Sequence, residues 1–403
     1  MADGRESSGA LAGVRVLDVS SVLAAPVAAT MLADFGAEVV KVETPGVGDF
    51  VRRGATGPGG RSLEWIQEAR NKRSITLDLH HPRGRELLRQ LIGHFDVLVV
   101  NFRPPTLHSW GLDPETIHRA FPDLIALYVT GYGLTGPYRD RGAFDRVASA
   151  FAGLTYVSGF PEGPPVRTGY AVIDYMTAYL GAFSVVTALY HRDVRNGGGQ
   201  VIDLALYEAG FRASEGALLH YAVDGTIRER TGNRNLDVVP ASDFTTADGR
   251  RIAIHAGTQS LFVRLSELMG RPELVEDQRF STHRARVDNQ DELYELIGQW
   301  VAEHRCDDLM TMLADAGIPG APVMNIADIV SDPHYRHRET FMAWKDDEYG
   351  DLLMVSPIPK MSSTPGRVRS GGPPLGAHNN DVYGSLLGLS AHEIDELAQL
   401  GIV

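Results

Sequence analysis

The chain has 403 residues, is 43% hydrophobic and 8% aromatic, and carries a formal net charge of −13. That composition is ordinary for a globular protein and gives enough apolar residues for a large core and two domains. The acidic balance argues against a general nucleic-acid binder, and an anionic small ligand would need a local basic patch set against the overall field.

Residues 11–43 read as strand, helix, strand. Val14–Val19 is a short apolar strand, Leu23–Phe35 an amphipathic helix closed by Gly36, and Glu38–Glu43 a second strand. A β-α-β unit of this length implies parallel strands joined by a right-handed crossover. The turn after the first strand, Ser20-Ser-Val-Leu-Ala-Ala-Pro26, lacks the G-x-G-x-x-G fingerprint, which disfavours a standard nicotinamide site but not a doubly wound sheet. Residues 44–70 are rich in Gly, Pro and Arg and read as a surface loop. Ser74–Leu79 is a strand broken by His80-His81-Pro82, Arg83–His94 a charged helix, and Asp96–Val100 another strand. Ligands of open α/β sheets bind beyond the carboxyl ends of strands, and two such ends, Leu79-His80 and Asn101–Arg103, follow one another here. Nearby Arg70, Lys72, Arg73 and Arg103 are the candidates for holding a phosphorylated ligand, with solvated surface charge as the plainer reading of each alone.

Leu124–Val129 is one more strand, leading into the glycine-dense loop 130–137 and then Gly142-Ala143-Phe144-Asp145. Residues 146–153 read as helix, 158–169 as a Pro/Gly loop, 201–205 as strand, and Tyr207–Val223 as one helix. Composition shifts near residue 225. Residues 241–325 then carry their own signals: a hairpin turning at Asp248-Gly249 and amphipathic helices over 261–269 and 290–304. Residues 326–403 are mixed strand and loop, ending in a short helix with a capping box at Ser390 and Glu393.

The single cysteine, Cys306, excludes an intramolecular disulfide framework and fits a reducing, cytoplasmic location; its flanks read as an exposed helix and the thiol as inert. The polar N-terminus has no apolar signal core, and no uninterrupted apolar stretch reaches about 18 residues, so no membrane span is expected. The histidines are scattered outside any metal-ligand spacing, and no metal site is expected.

The stretch 163–192 organises the rest. It starts as a Gly/Pro loop and turns into a long apolar helix whose composition suits burial on nearly every face, with Asp174 at the join. A carboxylate there is either a helix N-cap or a partly desolvated nucleophile or base.

Seven runs, in order, resemble the class III (CaiB/BaiF) coenzyme A transferases, the group that includes formyl-CoA transferase, carnitine CoA-transferase and α-methylacyl-CoA racemase. They are Leu11-Ala-Gly-Val-Arg-Val-Leu-Asp-Val, Phe35-Gly-Ala-Glu-Val-Val-Lys-Val-Glu, Asn71-Lys-Arg-Ser-Ile-Thr-Leu-Asp-Leu, Asn101-Phe-Arg-Pro, Gly131-Tyr-Gly-x-x-Gly-Pro, Gly163-Pro-Pro-Val-Arg-Thr-Gly-Tyr-Ala-Val-Ile-Asp and Pro373-Pro-Leu-Gly-Ala-His-Asn-Asn-Asp-Val-Tyr. The resemblance implies an α/β fold with a Rossmann-like large domain built from both chain ends (1–225 and 326–403) and a smaller inserted α+β domain (226–325), assembled as an interlocked homodimer. It implies a CoA-transferase with Asp174 as nucleophile and no tightly bound cofactor, taking acyl-CoA and a carboxylic acid as substrates. CoA would lie along Leu23, Ala24, Leu77, Asp78, Leu79, His80, Asn101, Phe102, Arg103, Ala143, Phe144 and Asp145.

Departures from the family pattern narrow the reading. Racemases carry a histidine where this chain has Phe144, so two-base epimerisation is disfavoured. Formyl-CoA transferase has a glutamine at the position of Leu23 and a run of glycines where this chain reads Thr231-Gly-Asn-Arg-Asn235, so oxalate as a substrate is not supported. Thr44 and Ser109 stand where CoA-binding arginines often do, which sends phosphate contacts elsewhere, with Lys72, Arg73 and Arg103 the candidates. Leu23 and Phe144 point to a more apolar acyl pocket. The alternatives are a 2-methylacyl-CoA racemase or intramolecular CoA-transfer isomerase and, from another class, a non-catalytic CoA-binding protein.

Overall fold

The computed structural model describes residues 9–54, 56–235 and 237–403. The chain divides into two compact units. The first takes the described residues up to Thr155 together with Arg167–Thr226 and Glu339–Val403; the second takes Tyr156–Val166 and Ile227–Arg338. The second unit thus begins one residue later than the composition shift suggests, runs on past 325, and also claims a short piece of the Pro/Gly loop.

The first unit is built on six parallel strands: β1 (Arg15–Asp18), β2 (Glu38–Glu43), β3 (Lys72–Thr76), β4 (Val97–Val100), β5 (Ile125–Thr130) and β6 (Val201–Ala205). Their order is β3-β2-β1-β4-β5-β6, so the chain reverses its direction of growth between β1 and β4. That reversal leaves a crevice at the carboxyl ends of the two central strands, where ligands of such sheets bind. Val16 lies opposite both Val39 and Val97. Side chains alternate across the sheet. Val16, Val39, Val97 and Val99 face the helices Ala24–Asp34 and Val172–Arg195; Leu17, Val40, Leu98 and Val100 face the helix Pro82–Ile92 and the C-terminal helices Asn379–Leu387 and Ala391–Gln399. Burial on both faces explains why these strands read as continuous apolar runs. Gly181 lets the helix Val172–Arg195 press onto the sheet: a Cβ there would lie 3.2 Å from Leu127 and 3.3 Å from Ala28. The C-terminal chain packs beside β3, with the His378 N–H on the Ser74 carbonyl at 2.9 Å and the Tyr383 hydroxyl on the Thr76 carbonyl at 2.7 Å. It thereby covers an edge that would otherwise offer unpaired backbone.

The second unit holds a three-stranded antiparallel sheet, β7 (Ala241–Thr245), β8 (Arg251–His255) and β9 (Gly320–Pro322), with the helices Gln259–Leu268, Gln290–Ala302 and Cys306–Asp315 around one apolar core. Cys306 is fully buried there, not on an exposed face as its charged neighbours suggest. Those neighbours sit at the helix start, where acidic residues favour the positive end of the dipole, while the thiol packs inward.

Other local expectations also need correcting. Residues 44–70 are not loop throughout. Asp49 caps a 3-10 turn, Phe50–Arg53, and Ser62 caps the helix Leu63–Glu68, which buries Trp65 and Ile66. β3 begins at Lys72 and ends at Thr76, two to three residues earlier than the apolar run implies, because Lys72 is itself buried. The helix expected over Tyr207–Val223 is two helices, Leu206–Phe211 and Ala217–Asp224, parted where Glu215 takes φ 52°. The helix Val172–Arg195 is buried on one side only: Tyr179, Phe183, Val186, Tyr190 and Val194 form an exposed stripe at helical spacing. By length and composition this helix could cross a membrane, with mean hydropathy 1.5, and half of that window is buried within the protein.

Candidate active site

The helix Val172–Arg195 begins after Ala171, whose side chain cannot accept a hydrogen bond. The missing acceptor comes from another element. Asp145, first residue of the helix Asp145–Phe151, places Oδ1 2.8 Å from the Ile173 N–H and 3.4 Å from the Asp174 N–H. Asp174 is therefore the third residue of its helix and not its cap, which overturns the N-cap reading. Its carboxylate has no hydrogen-bond or ion-pair partner among the described residues, and the residue is only 7% exposed. Burial, and then the negative charge of Asp145, push its pKa up from 3.8 to about 7. A carboxylate so placed is neither capping nor paired, and its burial and raised pKa make it the candidate for chemistry in this unit. Asp145, named above as a CoA contact, has its Oδ1 engaged with this helix start.

A cleft of about 280 Å³ opens at the carboxyl ends of β1 to β4. Of the residues named for CoA, Leu77, Leu79, His80 and Phe102 line it, joined by Thr44, Phe50, Arg53 and Trp110. Trp110 packs edge-on against both Phe102 (4.7 Å) and His80 (5.4 Å), and the His80 ring is within 3.2 Å of Asp78. Arg103 precedes the helix Pro104–Trp110, exposed and without a charged partner among the described residues. Ala24 is buried at the start of its helix, and Leu23 packs against both the core that contains Ile173 and the small cluster of Val51 and Trp65. Ala143 and Phe144 follow β5. Gly131 approaches Ala143 so closely that a Cβ would fall 2.4 Å from the Ala143 Cβ, which accounts for the glycine there. Phe144 is 68% exposed. The loop 231–235 belongs to the second unit, where it borders a groove of about 570 Å³ along β7 to β9.

Asn101 does something the sequence did not signal. Its amide nitrogen donates to the Ser21 carbonyl at 2.7 Å and its oxygen accepts the Ser21 N–H at 2.9 Å. The adjacent Val22 takes φ 71°, an uncommon conformation for a β-branched residue, and its N–H is held by Asp49 at 3.2 Å. Asn101 and Asp49 thus fix the turn after β1 at the point where the sheet reverses.

The basic residues sort differently from the sequence expectation. Lys72 is buried, 2.9 Å from Asp18 and 2.6 Å from the Pro26 carbonyl, so it does not face a phosphate. Lys41, also buried, lies 3.0 Å from Asp49, 3.7 Å from Asp18 and donates to the Ser20 carbonyl. Burial alone would raise the Asp18 pKa, but the two lysines outweigh it and hold Asp18 below its ordinary value. Arg70 is bound to Asp34 and Arg73 to Asp381. The signal that could have exposed part of this network is Lys41, set between Val40 and Val42 in β2: a charge at a buried strand position calls for a buried counter-charge.

The model of CoA-transferase family III matches residues 11–379. The chain is 42% identical over 388 residues to the succinyl-CoA–D-citramalate CoA-transferase of Chloroflexus aurantiacus, covering 96% of each chain. It is 31% identical to the human succinyl-CoA:glutarate CoA-transferase, covering 98% of this chain and 90% of that one. Among solved structures, a CaiB/BaiF family protein from Brucella suis superposes with a TM-score of 0.81 at 32% identity, covering 94% of this chain and all of the other. Rv3272 from Mycobacterium tuberculosis gives 0.81 at 29% identity, covering 92% and 98%. The chain belongs to CoA-transferase family III, and the protein is a CoA-transferase.

Proposed function

We propose that the protein moves CoA from an acyl-CoA to a carboxylic acid through covalent intermediates on Asp174, with succinyl-CoA as donor and a small dicarboxylate as acceptor. The observation that carries this reading is the buried, unpartnered carboxylate of Asp174 at a helix start. The substrate class follows the relatives, which are named for succinyl-CoA and for D-citramalate or glutarate.

An Asp174 carboxylate oxygen attacks the thioester carbonyl. The tetrahedral adduct collapses, the C–S bond breaks, and CoA thiolate leaves a mixed anhydride. The thiolate attacks Cγ of Asp174, the anhydride C–O bond breaks, and the donor acid departs as carboxylate. The acceptor carboxylate then attacks the aspartyl-CoA thioester and expels the thiolate. Attack of the thiolate on the acceptor's acyl carbon gives the new acyl-CoA and restores Asp174. In every step an anionic nucleophile displaces an anionic leaving group, so no net proton moves and no general base is required. This suits a carboxylate with no histidine or lysine hydrogen-bonded to it. CoA held by its nucleotide keeps the thiolate at high effective concentration, and burial limits hydrolysis of the anhydride. A desolvated carboxylate of raised pKa is also the better nucleophile.

We further propose that Leu77–His80 and Phe102–Arg103 contact CoA, that the protein acts in the cytoplasm, and that it is a homodimer of the interlocked kind. The apolar stripe from Tyr179 to Val194 supports a second copy as its cover, since exposed patches of this kind mark interfaces. The test is incubation with succinyl-CoA and a panel that includes D-citramalate, L-malate and glutarate, with products separated by chromatography. One acceptor is expected to yield its CoA ester and succinate in equal amounts, and none with Asp174→Ala. Uptake of α-deuterium from D₂O by a 2-methylacyl-CoA, with no transfer to any acid, would replace this reading by the racemase.

A further inference from the structure

CoA brings several phosphate charges to a protein of net charge −13. Of the cations expected to meet them, Lys72 and Arg73 are committed elsewhere, Arg103 is exposed but does not line the cleft, and Thr44 and Ser109 carry no charge. The other cations near the cleft are engaged. Lys41 is buried against Asp49 and Asp18. Arg85 donates to the Leu79 and His80 carbonyls. Arg52 is bound through two nitrogens to Glu43, at 2.6 and 2.8 Å, donates to the Pro373 carbonyl at 3.0 Å, and lies 3.7 Å over the Trp65 ring.

Its neighbour Arg53 differs from all of these. Arg53 lines the cleft, is exposed, and makes no hydrogen bond or ion pair among the described residues; its guanidinium lies 5.8 Å over the Phe50 ring. The turn that presents it is held firmly. Asp49 caps it by accepting the Val51 N–H at 3.0 Å, Asp49 is itself tied to Lys41, and Arg52 anchors the far side to Glu43. Val51 is buried beside Trp65. A free guanidinium on a rigid turn at the mouth of a cleft is preorganised for a planar, doubly hydrogen-bonded anion.

We propose that Arg53 is the residue by which this chain binds a phosphate group of the CoA nucleotide, replacing the arginines absent at Thr44 and Ser109. The inference rests on the transferase reading and adds to it the cation that holds the donor and the thiolate in place. Phe50, which lines the cleft beside Arg53, offers its ring to the guanidinium.

The test is isothermal titration of the full-length wild type, Arg53→Ala, Arg53→Lys and Arg367→Ala with CoA and with 3′-dephospho-CoA. Arg367, exposed at the amino-end crevice beside Gly36 and Asn71, controls for the loss of one positive charge. Loss of a charge-assisted phosphate contact should weaken CoA binding about 10- to 100-fold in Arg53→Ala. Arg53→Lys should recover part of it, and Arg367→Ala should match the wild type. A loss seen with CoA and absent with dephospho-CoA assigns the contact to the 3′-phosphate; an equal loss with both assigns it to the diphosphate. An Arg53→Ala affinity equal to that of Arg367→Ala would overturn the assignment while leaving the transferase reading intact. No CoA binding by the wild type would overturn both.

Discussion

Replacing Asp174 by asparagine should make the protein more stable, and by an amount that grows with pH. The folded protein holds this carboxyl at a pKa of about 7 against 3.8 for the free group, because burial and Asp145 both oppose its charge. Between those values the folded state binds a proton that the unfolded state has released. Wild-type stability therefore falls as pH rises through that window, the opposite of a salt-bridged aspartate. One pKa unit is worth about 1.4 kcal/mol, so the shift corresponds to about 4 kcal/mol above pH 7. A gain of about 4 kcal/mol for Asp174→Asn is expected at pH 8, shrinking to near zero at pH 4. The assay is urea unfolding of both proteins from pH 4 to pH 8 at one fixed protomer concentration, since assembly would also shift the midpoint. A stability difference that stays flat across that range would mean that Asp174 ionises normally and that the desolvated-nucleophile account is wrong.

Other expectations follow from the same contacts. Asp145→Asn keeps an oxygen for the Ile173 N–H but removes the charge, so the acid limb of kcat/KM, expected near pH 7 in the wild type, should move to lower pH; an unmoved limb would exclude Asp145 as a cause of the raised pKa. Lys72→Met strips Asp18 of one buried partner and should cost about 3–5 kcal/mol in unfolding free energy. A variant of unchanged stability whose only defect is CoA affinity would restore Lys72 as a phosphate ligand. Asn101→Ala loses both bonds to Ser21 and should cost about 2 kcal/mol of stability while raising the KM for acyl-CoA, as the turn around Val22 loosens. Gly84→Ala would put a Cβ 1.9 Å from the Asp78 carbonyl oxygen, so about 1–3 kcal/mol of strain is expected, with a raised KM because Asp78 adjoins the cleft-lining Leu79 and His80; a neutral melt would show that the backbone there yields freely.

The elements legible in the sequence were those whose pattern is set by short-range physics. β2 was readable to the residue because every position from Val39 to Glu43 is buried between two layers. The hairpin of β7 and β8 followed from Asp248-Gly249, and the last helix from the reciprocal capping of Ser390 and Glu393. The α/β class and the family followed from runs that recur in order. What failed was set by partners distant in sequence. The cap on the Asp174 helix comes from Asp145, 29 positions away, so local reading gave that task to Asp174 itself. Lys72 looked like a surface cation because its counter-ion, Asp18, lies 54 positions back. The bonds of Asn101 to Ser21 gave no local sign, because Ser21 sits on the far side of the sheet reversal. Trp65 and Ile66 disappeared into a Gly-rich stretch whose composition hid one buried helical turn. The exposed face of the Asp174 helix was likewise invisible, since an apolar stripe covered by its own core and one left for another surface have the same composition.

The most direct test of the covalent role of Asp174 is intact-mass spectrometry of the protein after incubation with succinyl-CoA, with and without hydroxylamine, beside Asp174→Ala. A CoA-sized mass increase that hydroxylamine removes, and that the variant never shows, is the expected result. A wild type that turns over succinyl-CoA at full rate yet never carries CoA, or an Asp174→Ala protein that carries it equally well, would contradict the account.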